Sequence, residues 1–195
     1  MRKCAVLRLD EPIPTPRLLL RAFQTDDLAA VVELHADPDV RRYIPWPARD
    51  REQCAAWMAE RIEQDRLAVE GDAVAWAVQR RDDARVIGAV NAWWRSVEHE
   101  QAEIGFVFAA DVQGQGYAGE ATAALVSHLF DRLPLRRISG SADARNAPSA
   151  RLMSRIGMRK EAHFLQDELF KGEWTDTVVF AALRDEWASR GSEAR

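Results

Sequence analysis

The chain has little cysteine, no long apolar run and no surplus of positive charge. Only two of its 195 residues are cysteines, Cys4 and Cys54. Two cysteines so far apart match no zinc spacing and make no framework of cross-links. They read as free thiols of a reducing compartment, Cys54 lying on a helix. His35, His99, His128 and His163 are scattered. No pair has metal-ligand spacing, so no metal site is expected. No apolar stretch approaches the ~20 residues that a membrane-spanning helix needs. The opening MRKCAVLRLDEP lacks the apolar centre of a secretory leader. The expectation is a cytoplasmic protein without membrane association. Lys and Arg total 27 against 31 Asp and Glu, a formal net charge of −4. A nucleic-acid binder usually carries the opposite bias, so no nucleic-acid partner is expected. No internal repeat or low-complexity tract interrupts the chain.

What is there suits one ordinary domain, since 47% of the residues are hydrophobic and can build a core. The reading divides the chain into a lead-in at 1–14, a single domain at 15–184 and a polar, frayed tail at 185–195. The Pro-rich EPIPTP at 11–16 leads into a short buried strand at 17–23. Thr25 caps a helix that continues through Leu28, Val31, Val32 and Leu34, and Asp37-Pro38-Asp39 ends it. VRRYIPWP at 40–47 reads as a short helix or loop. Residues 50–69 form an amphipathic helix with Cys54, Trp57, Met58, Ile62 and Leu67 on one side. The period then changes to two. Strands at 73–79, 86–94 and 102–109 form an antiparallel meander. A helix at 116–132, a strand at 135–142 and a helix at 146–156 follow. Gly157 ends that helix in a left-handed turn. Two last strands, 159–169 and 174–183, are joined by Lys171-Gly172-Glu173. The fold class is α+β, with a mostly antiparallel sheet and one parallel crossover around 103–142.

Between strand and helix lies QGQGYA, residues 113–118. Glycine admits positive φ and close backbone approach at an entropic cost. Successive N–H groups from Gln113 to Ala118, backed by a helix dipole, form an anion nest. A phosphate-binding P-loop needs Lys and then Ser or Thr after its second glycine, and here the chain continues Tyr-Ala-Gly-Glu. Gly114, Gly116 and Gly119 match the dinucleotide fingerprint GxGxxG. A meander precedes them, however, and no acidic residue ends a second parallel strand at the expected distance.

A wider pattern fits better: Gln113, Gly116 and Ala118 as Gln-x-x-Gly-x-Ala. It resembles motif A of the GCN5-related N-acetyltransferase family. TPRLLLRAF resembles the first strand of the ribosomal-protein N-terminal acetyltransferase subgroup. EIGFVF resembles the family's fourth strand, and YAGEATAAL its following helix. Asn146, Ser149, Leu152 and Gly157-Met158 resemble motif B. The resemblance implies about seven twisted strands flanked by about four helices, with a splayed strand pair at an acetyl-CoA site. It implies that Gln113, Gly114, Gln115, Gly116, Tyr117 and Ala118 hold the pyrophosphate of acetyl-CoA. Phe106, Val107 and Phe108, on a bulged strand, would pair their backbone with the pantetheine arm. Asn146 serves as a helix cap or as a ligand of the pantetheine amide. Arg145 and Arg151 are candidates for the 3′-phosphate.

Acyl transfer to an amine needs a proton acceptor. The resemblance points to Glu103 as that base; the alternative is a surface carboxylate in a strand-end salt bridge. Many members carry a Tyr donor where this chain has Met153, which cannot donate. Ser149 is the nearest replacement, or else a structural residue of the helix start. Tyr43, Ile44, Trp46, Trp57, Trp93, Trp94 and Trp174 are candidates for an acceptor pocket, Tyr43, Trp46, Trp93 and Trp174 foremost. The acceptor is a primary amine: the N-terminal α-amine of a protein, or a small molecule such as an antibiotic or polyamine. A non-catalytic acyl-CoA-binding module and a nicotinamide enzyme based on GQGYAG are the rival readings. Aromatic strands near the end leave a homodimer open.

Overall fold

A strand that is apolar on both faces has to be covered on both. β5 (Ala73–Arg80) buries five successive residues, and β6 (Val86–Ser96) buries Val86 through Val90. They lie inside an eight-stranded sheet with β2 (Ile13–Pro14), β3 (Leu18–Ala22), β7 (Gln101–Phe108), β8 (Arg137–Asp143), β9 (Arg159–Phe170) and β10 (Glu173–Leu183). The order is β2-β3-β5-β6-β7-β8-β10-β9. All neighbours are antiparallel except β7 and β8, the one parallel pair. The computed structural model describes residues 6–193, with side chains described as far as Ser189. Cys4 lies outside the described residues.

Two helical layers supply the cover. α4 (Tyr117–Arg132) and α5 (Ala147–Ile156) pack on one face, where Leu125, Leu129 and Met153 meet Ile104 and Phe108. α1 (Leu28–Ala36) and α3 (Arg51–Glu63) pack on the other, where Val31, Cys54 and Met58 meet Ala75, Ala77 and Ala89. α4 crosses from the end of β7 to the start of β8, and this crossover makes the pair parallel. Among the described residues no helix is long and apolar enough to cross a membrane.

The structure corrects several sequence boundaries. The lead-in is woven into the domain. Leu7 and Arg8 form β1 (Leu7–Arg8) against β4 (Arg66–Leu67), and β2 adds an eighth strand to the expected seven. The cause is the buried apolar set Leu7, Leu9 and Ile13. Thr25 is not a cap: residues 25–27 make a 3-10 turn, and the Asp27 carboxylate accepts the Gln24 N–H at 2.8 Å. Asp27 is also clamped by Arg21 through two 2.8 Å bonds. Asp37 both follows α1 and caps α2 (Pro38–Arg41), accepting from the Asp39 and Val40 N–H groups. α3 stops at Glu63 rather than 69. Leu67 is buried as a strand residue, and Ile62 stays partly in solvent. The tail read as frayed is α6 (Arg184–Glu193). Its anchor is Trp187, whose Nε1 donates to Ser127 Oγ at 3.0 Å and whose ring lies beside Phe130. Arg184 closes the end of α4 by donating to the carbonyls of Phe130, Leu133 and Leu135. The six α-helices among the described residues therefore exceed the roughly four expected.

Candidate active site

β7 and β8 pair only at Gln101–Arg137, Ala102–Ile138 and Glu103–Ser139. β7 stays paired with β6 as far as Phe108. Residues 104–108 therefore have a ladder partner on one side only among the described residues, and the two parallel strands splay. The side chains of Phe106 and Phe108 join the core under α4 and α5, and Val107 joins the opposite one. What this edge offers is backbone. The bulge expected in β7 is absent, since its register with β6 is regular from Phe108 to Ala102. The irregularity lies in β6, where Arg95 is the extra residue between Trp94 and Ser96. Gly140 of β8 makes room at the splay: a Cβ there would stand 3.1 Å from the Met153 sulfur.

The chain leaves β7 through a 3-10 turn at 110–112 and enters the glycine stretch. Gly114 has φ +77° and Gly116 φ +84°, values that a side chain resists by about 1–2 kcal/mol. Conformation, then, requires both glycines. A Cβ at Gly114 would meet nothing, and one at Gly116 only Arg17 Nη2 at 3.4 Å. The Gln113 N–H is already committed to Ala110 O at 3.2 Å, so the nest begins at Gly114 and not at Gln113. The N–H groups of Gly114, Gln115 and Gly116 have no partner among the described residues. The first turn of α4 carries no side-chain cap, so its N–H groups also point outward unpaired. Gly119 is not held to glycine: a Cβ would reach only Ile156 at an ordinary 3.8 Å. The third glycine of a dinucleotide fingerprint serves close packing, and here that need is missing.

Arg17 was not legible as part of this turn. Its Nη1 donates to Gln115 O at 3.0 Å, its guanidinium lies 4.4 Å over the Tyr117 ring, and its Nε meets Glu120 Oε2 at 2.6 Å. Thr15 Oγ1 and the Arg17 N–H hold Glu120 Oε1 at 2.6 and 2.9 Å. Burial pushes the Glu120 carboxyl up, but the bonds from Thr15 and Arg17 outweigh it and hold it below the usual range. The contacts to Glu120 join residues more than 100 positions apart, which no local pattern announces.

At α5 the cap is Asn146, whose Oδ1 accepts the Ser149 N–H at 3.2 Å. Ser149 is half-buried and Met153 fully buried. Arg145, expected near a phosphate, is instead bound to Asp143 at 2.7 Å and to Glu173 at 3.2 Å. Among the described residues no hydrogen bond joins Ser149 to Glu103.

Glu103 occupies the last paired position before the splay. Ala102 and Ile104 are buried in the core under α4 and α5, so strand alternation sends Glu103 to the other face. Its Oε2 accepts from Arg95 Nε at 2.7 Å, and its Oε1 from Ser141 Oγ at 3.2 Å. Trp93 is its cross-strand neighbour. A Cβ on Gly105 would stand 3.0 Å from the Trp93 ring, so glycine there lets the ring lie close against β7. The other acceptor candidates do not converge on this point. Trp46 stacks on His35 at 4.9 Å, with Trp57 at 6.3 Å. Burial, aided by Arg49 and Arg41, pulls His35 from 6.5 to about 4. Tyr43 packs with Arg42, and Trp174 is 62% exposed on the last hairpin. Trp94 is core. Lys171 Nζ donates to Arg41 O at 2.7 Å and ties that hairpin to the end of α2.

An open strand edge, a turn of unpartnered N–H groups at its end and a carboxylate at its root thus lie along one strand, β7. Residues 17–159 match the acetyltransferase (GNAT) domain, and the chain belongs to that family. It is an acetyl-CoA-dependent N-acetyltransferase. A Bacillus subtilis relative, described as the uncharacterized N-acetyltransferase YnaD, is 35% identical over 90% of this chain and 98% of its own. The crystal structure of a GNAT-family acetyltransferase from Bacillus anthracis superimposes with a TM-score of 0.80 at 30% identity, covering 90% of this chain and 99% of that one. The ribosomal protein uS5 alanine N-acetyltransferase of Escherichia coli is 25% identical over 90% of this chain and 92% of its own.

Proposed function

We propose that the enzyme acetylates the N-terminal α-amine of a protein, the amine attacking the acetyl carbonyl directly. The observation that carries this is Glu103 at the root of the splay, with β7 open beyond it. Acetyl-CoA, when bound, supplies the activated acetyl thioester. The residues present fit it. The free N–H groups from Gly114 to Ala118 receive the pyrophosphate, with Gln113 and Gln115 shaping the turn. The backbone of Phe106, Val107 and Phe108 receives the pantetheine arm as an added strand. An N–H on this edge polarises the thioester carbonyl. Asn146 caps α5 and faces the same arm. Glu103 takes the proton of the acceptor ammonium. Met153 is buried and has no proton to give, so Ser149, one turn earlier on α5, would supply the proton to the leaving thiolate. Trp93 lines the acceptor side, with Tyr43, Trp46 and Trp174 farther out on the loop and hairpin joined by Lys171. Similarity to the uS5 alanine acetyltransferase supports a protein N-terminus over a small amine.

Calorimetric titration with acetyl-CoA, with NADH as the comparison ligand, tests the cosubstrate: saturable binding of acetyl-CoA alone is expected. Mass spectrometry of peptides and small amines incubated with enzyme and acetyl-CoA tests the acceptor. Acetylation of polyamines but not of peptide α-amines would overturn the N-terminal assignment.

A further inference from the structure

Arg95 stands where a substrate would be expected. It is the extra residue of the β6 bulge, and bulges re-aim side chains beside functional sites. Its guanidinium binds Glu103 Oε2 at 2.7 Å and lies 5.9 Å from the centre of the Trp93 ring. A carboxylate beside the face of an indole is the pairing that recognises an ammonium group. That pairing sits at the root of the splay, and a cation from the chain itself fills it.

We infer that this corner is an ammonium site which the free enzyme occupies with its own arginine, and that the acceptor's ammonium displaces Arg95 from Glu103 on binding. The inference rests on the reading of Glu103 as the acceptor-side carboxylate. Three features suit displacement. Arg95 is 56% exposed and Glu103 only 23%, so the cation is the partner free to swing into water. An ion pair this exposed contributes little and yields readily to a competing cation. Glu103 Oε1 is held separately by Ser141, from the other strand of the splay, so the carboxylate keeps its place when Arg95 leaves. The substrate class follows: acceptors that arrive as primary ammonium ions are favoured over neutral amines of the same size.

The test uses the full chain saturated with CoA, n-butylammonium chloride as the probe, and potassium chloride at equal ionic strength as the control. The Arg95 Nε–H resonance in a ¹⁵N–¹H correlation spectrum is assigned by its loss in Arg95→Gln. Butylammonium should move that resonance saturably, and potassium should not. Arg95→Gln, read through the Ser141 amide, should bind butylammonium roughly two- to fivefold more tightly, the range an exposed ion pair is worth. An unmoved Arg95 resonance, or weaker binding by Arg95→Gln, overturns the inference. The outcome separates from that of the base assignment. If Glu103→Gln retains full turnover, the base assignment fails whatever the spectrum shows. If Glu103→Gln is inactive while the Arg95 resonance stays fixed, only the displacement fails.

Discussion

At its far end β7 runs into a turn made of main-chain atoms. Two glycines at positive φ aim unpaired N–H groups outward, and side chains there mostly brace the turn from behind. At its near end the site is made of side chains. Glu103 is held by Arg95 from β6 and Ser141 from β8, beside Trp93. Under the proposed function, the difference teaches how each end would serve its ligand. A diphosphate carries the same charge in every reaction cycle, and fixed dipoles suit it. An acceptor must be recognised, deprotonated and released, and that takes groups that titrate and move.

The sharpest way to break the comparison is to remove the charge at the near end. Glu103→Gln should lower kcat by about 10²–10⁴-fold, the usual worth of a positioned base. Acetyl-CoA affinity, measured by calorimetry, should not change. A variant that keeps its kcat would show that the near end only binds. The complementary change strikes the far end. Gly116→Val forces a branched side chain to φ +84°, at a cost of about 1–2 kcal/mol. The KM for acetyl-CoA should rise roughly five- to thirtyfold, with the KM for the acceptor unchanged. Equal rises in both KM values would mean that the two ends are not separate.

A smaller change probes the near end alone. In Gly105→Ala the new Cβ would stand 3.0 Å from the Trp93 ring, and the ring must give by a few tenths of an ångström. The acceptor KM should rise about two- to tenfold and the acetyl-CoA KM should hold. An unchanged acceptor KM would remove Trp93 from the acceptor site.

The far end was legible in the sequence because its parts are consecutive. Gln113 to Ala118 carry the pattern, and the glycines announce the backbone angles. Only the role of Gln113 changed, its N–H being used by the 3-10 turn that precedes it. The meander and the crossover were legible for the same reason: alternation and the strand–helix–strand order are local signals. The near end is assembled across distance. Ser141 is 38 residues from Glu103, and the bulge that aims Arg95 shows only in the register of two strands. Aromatic composition misled as well. Trp94 looked like a pocket wall, but it fills the core. The tail misled by its polarity, since one Trp187 was enough to dock a helix.

pH offers the mildest probe, setting the far end against the helical layer on the opposite face of the sheet. On the opposite face of the sheet α1 and α3 meet at the buried His35, whose ring lies against Trp57. An unfolded chain protonates this histidine near 6.5, whereas the folded chain resists to about 4. Between those values the unfolded state binds more protons, so stability falls as pH falls. Below about 4 both states are protonated and His35 causes no further loss. The far end leans on Glu120, whose folded carboxyl is held below its ordinary 4.5. Its contribution is complete above 4.5 and disappears only as pH falls through the lower folded value. Hydrogen exchange, corrected for intrinsic rates, should therefore show α1 and α3 losing protection between pH 6.5 and 4. The amides of α4 from Glu120 onward, the first with a helical partner, should keep theirs over that interval. Simultaneous loss in both regions would mean that one cooperative unit holds them, and His35→Gln should then flatten the dependence everywhere rather than in α1 and α3 alone.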